Sequence, residues 1–116
     1  MKWGKCRFGR LKVGGERYTK DVVLDQGVVR TRKKKPSREF REQFGHTPLS
    51  LKEDIPWECK CLVIGTGMEG RLPVMDEVTA EAQRRGVQLV VCLTPEAIQL
   101  LRGEPADTNA ILHVTC

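Results

Sequence analysis

The sequence CLVIGTGMEG, residues 61–70, passes from an unbroken apolar run directly into a glycine-rich segment. Leucine and β-branched residues without polar alternation are typical of a strand covered on both faces, as in parallel sheets with helices on either side. Glycines at the end of such a strand let the backbone turn sharply and expose its N–H groups. Because small ligands usually bind where the strands of an open α/β sheet end, we treat residues 65–70, the glycine corner, as a candidate site.

The segments around this stretch predict a crossover unit. The central strand is expected over residues 59–64, a helix over 76–85 and a second buried strand over 87–93. A helical connection of this length makes the two strands parallel and almost always gives a right-handed crossover. A further helix over 94–102 and a last apolar strand over 110–114 complete the predicted carboxyl-terminal half.

The amino-terminal third predicts an antiparallel meander, because short apolar runs over residues 6–31 are separated by glycine turns such as Gly14-Gly15. We expect this sheet to have one face on the core and one in water. A short amphipathic helix is predicted over residues 38–44, closed by Gly45. The pattern Ser-x-x-Glu at residues 50–53 predicts the start of a second short helix.

Length and composition favour one soluble domain. A chain of 116 residues is long enough for one hydrophobic core and too short for two, so a single domain over residues 1–116 is predicted. The five cysteines are an odd number and do not suggest a disulfide framework, which favours a reducing compartment. No apolar run approaches the ~20 residues of a membrane-spanning helix, and no secretion signal is present at residues 1–5. We therefore expect a cytoplasmic protein without membrane association.

The positive charge is concentrated in one segment, residues 30–41, which we call the basic arm. This segment contains one acidic residue, Glu39, and seven basic residues: Arg30, Arg32, Lys33, Lys34, Lys35, Arg38 and Arg41. The other residues of the chain are nearly neutral, with 13 basic and 14 acidic side chains. The protein is thus predicted to be a near-neutral domain with one cationic surface.

Four groups of residues give the chain a resemblance to the Mth-domain family, which is mostly of unknown function. They are Phe8-Gly9 with Tyr18, the run at residues 62–67, Thr94 with Ala97, and the sequence HVTC at residues 113–116. The resemblance implies a layered α/β fold, with a mixed central sheet flanked by helices and a smaller antiparallel amino-terminal sheet. It implies no catalytic mechanism, and a more distant member of the family is a mitochondrial complex I assembly factor.

Two common chemistries fit the sequence poorly. Gly65, Gly67 and Gly70 match the dinucleotide pattern G-x-G-x-x-G, but Leu72-Pro73 lies where the phosphate-binding helix should already have begun. Cys59 and Cys61, two apart on the predicted strand, should share a face that Cys92 could approach, yet no fourth zinc ligand accompanies them. We therefore predict no cofactor and no metal, with these cysteines filling the core.

The two histidines and the last cysteine leave an enzymatic alternative open. His46 lies on a predicted loop and could reach a pocket, and Cys116 could serve as a nucleophile. If the last strand continued, His113 and Cys116 would point to opposite faces, so His113 is interpreted as a hydrogen-bonded sheet histidine. A thiol- or His-dependent enzyme at Cys116 or His46 is retained as one alternative.

The leading hypothesis is a non-enzymatic binding or assembly module with no catalytic residue. Its partner is expected to be an acidic protein or a small anion. The predicted binding residues lie in the glycine corner, the basic arm and the loop beyond: Gly65, Thr66, Gly67, Met68, Gly70, Arg32, Lys33 and His46. Nucleic-acid binding through the basic arm, with Phe40 and Phe44 stacking on bases, is the other alternative. The hypothesis requires an open hollow at the glycine corner with the basic arm on the same side.

Overall fold

The computed structural model describes residues 1–116 and contains two β-sheets. The smaller sheet is antiparallel and consists of β1 (Trp3–Arg7), β2 (Arg10–Val13) and β3 (Glu16–Tyr18). The larger sheet contains β4 (Val22–Asp25), β5 (Val28–Thr31), β6 (Cys61–Gly65), β7 (Gln88–Cys92) and β8 (Thr108–Leu112). Its strand order is β5-β4-β8-β6-β7. Because β6 is parallel to both neighbours and β4 is antiparallel to β8, this sheet is mixed, and the predicted α/β class is confirmed.

The helices form layers on the two faces of the larger sheet. Besides a 3₁₀ helix (Lys35–Phe40), the chain has α1 (Arg41–Phe44), α2 (Asp76–Arg85) and α3 (Thr94–Arg102). Helix α3 and the small sheet pack on the face that contains Val63, whereas α2 packs on the face that contains Leu62 and Ile64. Strand β6 is therefore buried on both sides, as its apolar sequence predicts. None of the helices has the length and apolar character needed to cross a membrane.

The amino-terminal meander is divided between the two sheets, which corrects the prediction of one half-exposed sheet. Strand β4 pairs with β8 through partners such as Val23 and Ile111, so the β4–β5 hairpin belongs to the central sheet. The reason lies in the sequence of β4, where Val22, Val23 and Leu24 are buried in succession. Consecutive apolar residues suit a strand covered on both faces, and the small sheet offers only one such face.

Two further predictions are corrected by the structure. Strand β7 lies at the edge of the sheet and has no fully buried residue, with Val91 50% exposed, whereas a buried strand was predicted. The Ser-x-x-Glu pattern forms a turn and no helix, with the Glu53 amide donating to the Ser50 carbonyl at 3.2 Å. The Glu53 side chain does not cap a helix because it forms a buried ion pair with Arg32.

Candidate functional site

The glycine corner is filled by the last residues of the sequence. Gly67 has φ of +106°, a conformation that favours glycine, and an added Cβ would lie 2.8 Å from the His113 ring and 2.7 Å from the Cys116 oxygen. Gly65 and Thr66 are buried as well. The corner therefore acts as a close-packed seat for residues 113–116.

The amide groups of the corner are also used within the chain. The Met68 amide donates to the Thr115 carbonyl at 2.8 Å, and the amides of Glu69 and Arg71 donate to the Cys116 oxygen at 3.1 and 3.0 Å. The Gly67 amide donates to Thr94 Oγ1 at 2.8 Å. The predicted hollow of open N–H groups is thus absent, because these donors already have partners. The leading hypothesis is therefore wrong in placing the binding site at the glycine corner, and only its basic-arm part is retained below.

A cavity of about 350 Å³ lies beside the seated residues, and we call it the basic cavity. Its walls include the side chains of Lys34, Arg38, Arg41, His46, His113 and Cys116. The basic arm supplies the three cations, the loop after α1 supplies His46, and the segment after β8 supplies the remaining two residues. No Asp or Glu side chain lines it. Two predicted residues, Arg32 and His46, meet at this cavity, whereas Gly65, Thr66, Gly67, Met68 and Gly70 do not reach it.

A second cavity of about 690 Å³ adjoins the basic cavity, and we call it the lysine cavity. It is lined by the predicted residue Lys33 together with Lys20, Lys35 and Thr115. Both cavities are bounded by the same three basic residues: Arg32, Lys34 and Arg38. The basic arm therefore forms a shared wall between two hollows.

The exposed cations of the arm have no partners of their own. No carboxylate lies within 4.0 Å of Lys33, Lys34, Lys35, Arg38 or Arg41, and none of these side chains makes a hydrogen bond. By contrast, Arg30 at the start of the arm is engaged with Asp25 and Asp54. The positive potential at the two cavities is consequently not cancelled by neighbouring acids.

Arg32 anchors the arm through a buried network. Its side chain is 2% exposed and donates to both Glu53 carboxylate oxygens, at 2.7 and 2.8 Å, and to Asp21 Oδ2 at 2.8 Å. Another N–H donates to the Pro48 carbonyl at 3.1 Å, which engages four of the five guanidinium donors. Burial alone would lower the pKa of Arg32, but hydrogen bonds and charge attraction from Glu53 and Asp21 outweigh it and raise that pKa. Arg32 is thus a structural cation with little capacity for a ligand.

Two serines extend this network into the arm and the following loop. Ser37 Oγ lies 2.6 Å from Glu53 Oε2 and 2.6 Å from Ser50 Oγ, and both serines are buried. The sequence pattern suggested a helix start at Ser50, and the inward orientation of both serines was missed. Because Ser37 lies in the 3₁₀ helix, the network holds the adjacent Arg38 and Lys34 in place.

Asp21 connects the network to the segment after β8. Its Oδ2 lies 2.8 Å from His113 Nδ1, and its Oδ1 accepts the Val114 amide at 3.0 Å. Burial would raise the pKa of Asp21, but the hydrogen bond and charge of His113 and the charge of Arg32 outweigh it and lower the pKa. The other imidazole nitrogen of His113 lies 3.1 Å from Thr115 Oγ1. His113 is therefore hydrogen-bonded at both ring nitrogens, but it follows β8 rather than lying in the sheet as predicted. No sequence signal indicated Asp21 as its partner.

Cys116 and His113 line the same cavity, which corrects the prediction that they face opposite sides. The strand geometry behind that prediction does not apply, because β8 ends at Leu112. Cys116, His46 and His113 line one cavity, and this arrangement favours the enzymatic alternative. The structure shows no hydrogen bond from the Cys116 thiol to either imidazole, which is the contact that a Cys–His nucleophile pair uses.

The other predicted thiol cluster is dispersed. Cys61 and Cys92 contact the core on the α3 side and Cys59 contacts the core on the α2 side, so Cys59 and Cys61 do not share a face. Burial raises the pKa of each of these three thiols. No group of three His, Cys, Asp or Glu side chains is placed to hold a metal ion.

Comparisons with known proteins give family and fold without an activity. The family model described as "Protein of unknown function (DUF498/DUF598)" matches residues 4–113. A search of curated proteins finds no match. The conserved hypothetical protein PH1505 from Pyrococcus horikoshii OT3 is similar, with a TM-score of 0.82, 26% identity and 100% coverage of both chains. The protein MT938 has a TM-score of 0.73 and 26% identity over 98% of this chain and 97% of its own. XCC1710 from Xanthomonas campestris, 14% identical over 98% of this chain and 86% of its own with a TM-score of 0.63, shows the fold alone.

Proposed function

The chain belongs to the DUF498/DUF598 family of proteins of unknown function, and from that starting point we propose that it is a non-enzymatic binding module for anions. The ligand group is a carboxylate or phosphate, carried by a small anion or by an acidic protein partner. One observation carries this proposal: Lys34, Arg38 and Arg41 line a concave cavity of about 350 Å³ to which no Asp or Glu side chain contributes. Such a concentration of unopposed charge in a hollow attracts anions and strengthens their hydrogen bonds.

The order of the arm supports binding over a merely solvated surface. Arg32, Glu53 and Ser37 anchor the main chain of the arm from beneath, so the backbone that carries the exposed cations is ordered before any ligand arrives. Preorganisation of this kind lowers the entropic cost of binding. The glycine corner contributes indirectly, because it seats residues 113–116 that form one cavity wall.

Nucleic-acid binding is disfavoured by the surroundings of the two aromatic residues. Phe40 and Phe44 are half-buried, and the Lys52 ammonium lies 5.6 Å from the centre of the Phe40 ring. A ring already covered on one face and partly buried is a poor platform for stacking a base. An assembly-type role and a cytoplasmic location rest on the Mth-domain resemblance and on composition, and they stay predictions.

The proposal is tested by titration calorimetry of inorganic phosphate and of an acidic peptide into the wild type and two double variants. Arg38→Gln with Arg41→Gln removes two cations of the cavity, whereas Lys12→Gln with Arg17→Gln removes two exposed, unpaired cations of the small sheet. We expect the first variant to lose about tenfold or more in affinity, since each charged hydrogen bond is worth roughly 1.5–3 kcal/mol. The control variant should bind like the wild type.

Equal binding by all three proteins, or no binding of either anion, overturns the proposal. A single-stranded oligonucleotide is titrated in parallel over a range of salt concentrations. Tighter binding of this probe than of either anion, with a steep salt dependence that disappears when Lys33, Lys34 and Lys35 become Gln, would assign the arm to nucleic acid instead.

A further inference from the structure

We infer that the ligand of this site is a small molecule with two or more phosphate groups in series, bound across the basic cavity and the lysine cavity together. This inference rests on the proposed function, since it specifies the anion that the site takes. The two hollows share Lys34 and Arg38 as a common wall, so a ligand that extends across these two side chains can contact cations in both hollows. Volumes of about 350 and 690 Å³ lie in the size range of small-molecule pockets.

The number of cations exceeds what a single carboxylate or phosphate requires. Arg41 faces only the basic cavity, Lys33 and Lys35 face only the lysine cavity, and Lys34 and Arg38 face both. Five unpaired positive charges are more than one phosphate can neutralise and are enough to neutralise a diphosphate or triphosphate. The two guanidinium groups can each hold a phosphate through two parallel hydrogen bonds.

The one carboxylate near the site does not oppose such a ligand. Asp21 lines the lysine cavity, but Arg32 and His113 contact its Oδ2 and the Val114 amide donates to its Oδ1. Its charge is therefore compensated within the buried network. Among the charged side chains that line the two cavities, the exposed cations are therefore the ones without a partner.

The grouping of the cations favours phosphates in series over an acidic peptide. An extended peptide carries one carboxylate per acidic residue and advances about 3.3 Å per residue, with neighbouring side chains on opposite faces. Linked phosphates place several charges within one compact group, as the clustered cations require. Hydroxyl groups of Thr19 and Thr31 in the lysine cavity can donate hydrogen bonds to the remaining part of the ligand.

The test compares inorganic phosphate, pyrophosphate, ATP and an acidic decapeptide by titration calorimetry on the full chain. Arg41→Gln removes a cation that only the basic cavity uses, and Lys35→Gln removes one that only the lysine cavity uses. We expect pyrophosphate or ATP to bind at least tenfold more tightly than phosphate. Both variants should weaken ATP binding several-fold, and Arg17→Gln should leave it unchanged.

The outcomes separate this inference from the proposed function. If the decapeptide binds and no phosphate compound does, the site takes anions but the inference is overturned. Equal affinity for phosphate, pyrophosphate and ATP also overturns it, as does an ATP affinity that only one of the two cavity variants changes. If no anion binds, both the inference and the proposed function fail. Circular dichroism spectra of the Arg41→Gln, Lys35→Gln and Arg17→Gln variants are compared with the wild-type spectrum to check that each variant is folded.

Discussion

Replacing Glu53 by Gln tests whether the buried network holds the basic arm. The change keeps the shape of the side chain but removes the charge that faces Arg32 at 2.7 and 2.8 Å. The two side chains are 3% and 2% exposed, so water cannot compensate for the lost carboxylate. Removing one partner of a buried ion pair typically costs about 3–5 kcal/mol of the free energy of unfolding.

Asp21 remains beside Arg32 in this variant, which favours the lower end of that range. We expect Glu53→Gln to cost about 3 kcal/mol and to lower the melting temperature by roughly 10 °C. The measurement is urea unfolding followed by tryptophan fluorescence, since Trp3 is buried in the core. Because the variant also loosens the arm, its phosphate affinity should fall although Glu53 does not line either cavity.

The matched control is Glu39→Gln, which breaks the ion pair of Glu39 with Lys52 at 2.7 Å. Both of those side chains are more than half exposed, and such surface pairs contribute about 0–1 kcal/mol. If Glu53→Gln costs no more than Glu39→Gln, the buried network does not stabilise the arm and the reasoning is refuted.

Three other predictions concern the segment after β8, the glycine corner and the buried thiols. Because the folded state lowers the pKa of Asp21 below its ordinary value of 3.8, its contribution to stability is present above that value and is lost as the pH falls through the folded pKa. Urea midpoints measured from pH 6 downward should therefore fall less steeply below pH 4 for Asp21→Asn than for the wild type, and parallel curves would contradict this. Gly67→Ala should lower the free energy of unfolding by about 2 kcal/mol or more, because the added Cβ meets Cys116 and His113. The control Gly86→Ala has φ of +70° and open space around the Cβ, so it should lower the same free energy by only about 1 kcal/mol. Similar unfolding free energies for the two alanine variants would show that close packing at Gly67 is unimportant. Iodoacetamide should label Cys61 and Cys92 more slowly than a free peptide thiol, because partial burial raises the pKa of both. Mass spectrometry of timed digests measures the labelling rates, and rates equal to that of a free peptide thiol would contradict the prediction.

Local sequence signals predicted the crossover unit well. The bounds of α2 and α3 follow from their end residues, with Gly86 in the left-handed conformation after α2 and Pro95 in the first turn of α3. Strand β6 follows from its unbroken apolar run. These features depend on neighbours within a few residues, which is why one sequence suffices to locate them.

Contacts between residues far apart in the sequence could not be predicted from these local patterns. The Ser-x-x-Glu pattern at residues 50–53 fits a helix start locally, but Arg32 takes the glutamate, 21 residues away. The amides of the glycine corner have residues 115–116 as partners, and no local pattern encodes that pairing. Arg32 and His46 were both among the predicted binding residues, but the cavity that they line was found only from the three-dimensional packing.

The position of β8 between β4 and β6 has a consequence for vectorial synthesis. The β4–β5 hairpin and the β6–β7 pair have no hydrogen-bonded connection until residues 108–112 leave the ribosome. Until then, β4 and β6 each have an edge whose backbone N–H and C=O groups lack a neighbouring strand. The sheet can therefore form only after β8, which is translated late, becomes available. A nascent chain stalled before Thr108 should therefore remain sensitive to protease and should recruit chaperones, whereas emergence of residues 108–112 from the ribosomal exit tunnel permits closure of the whole sheet.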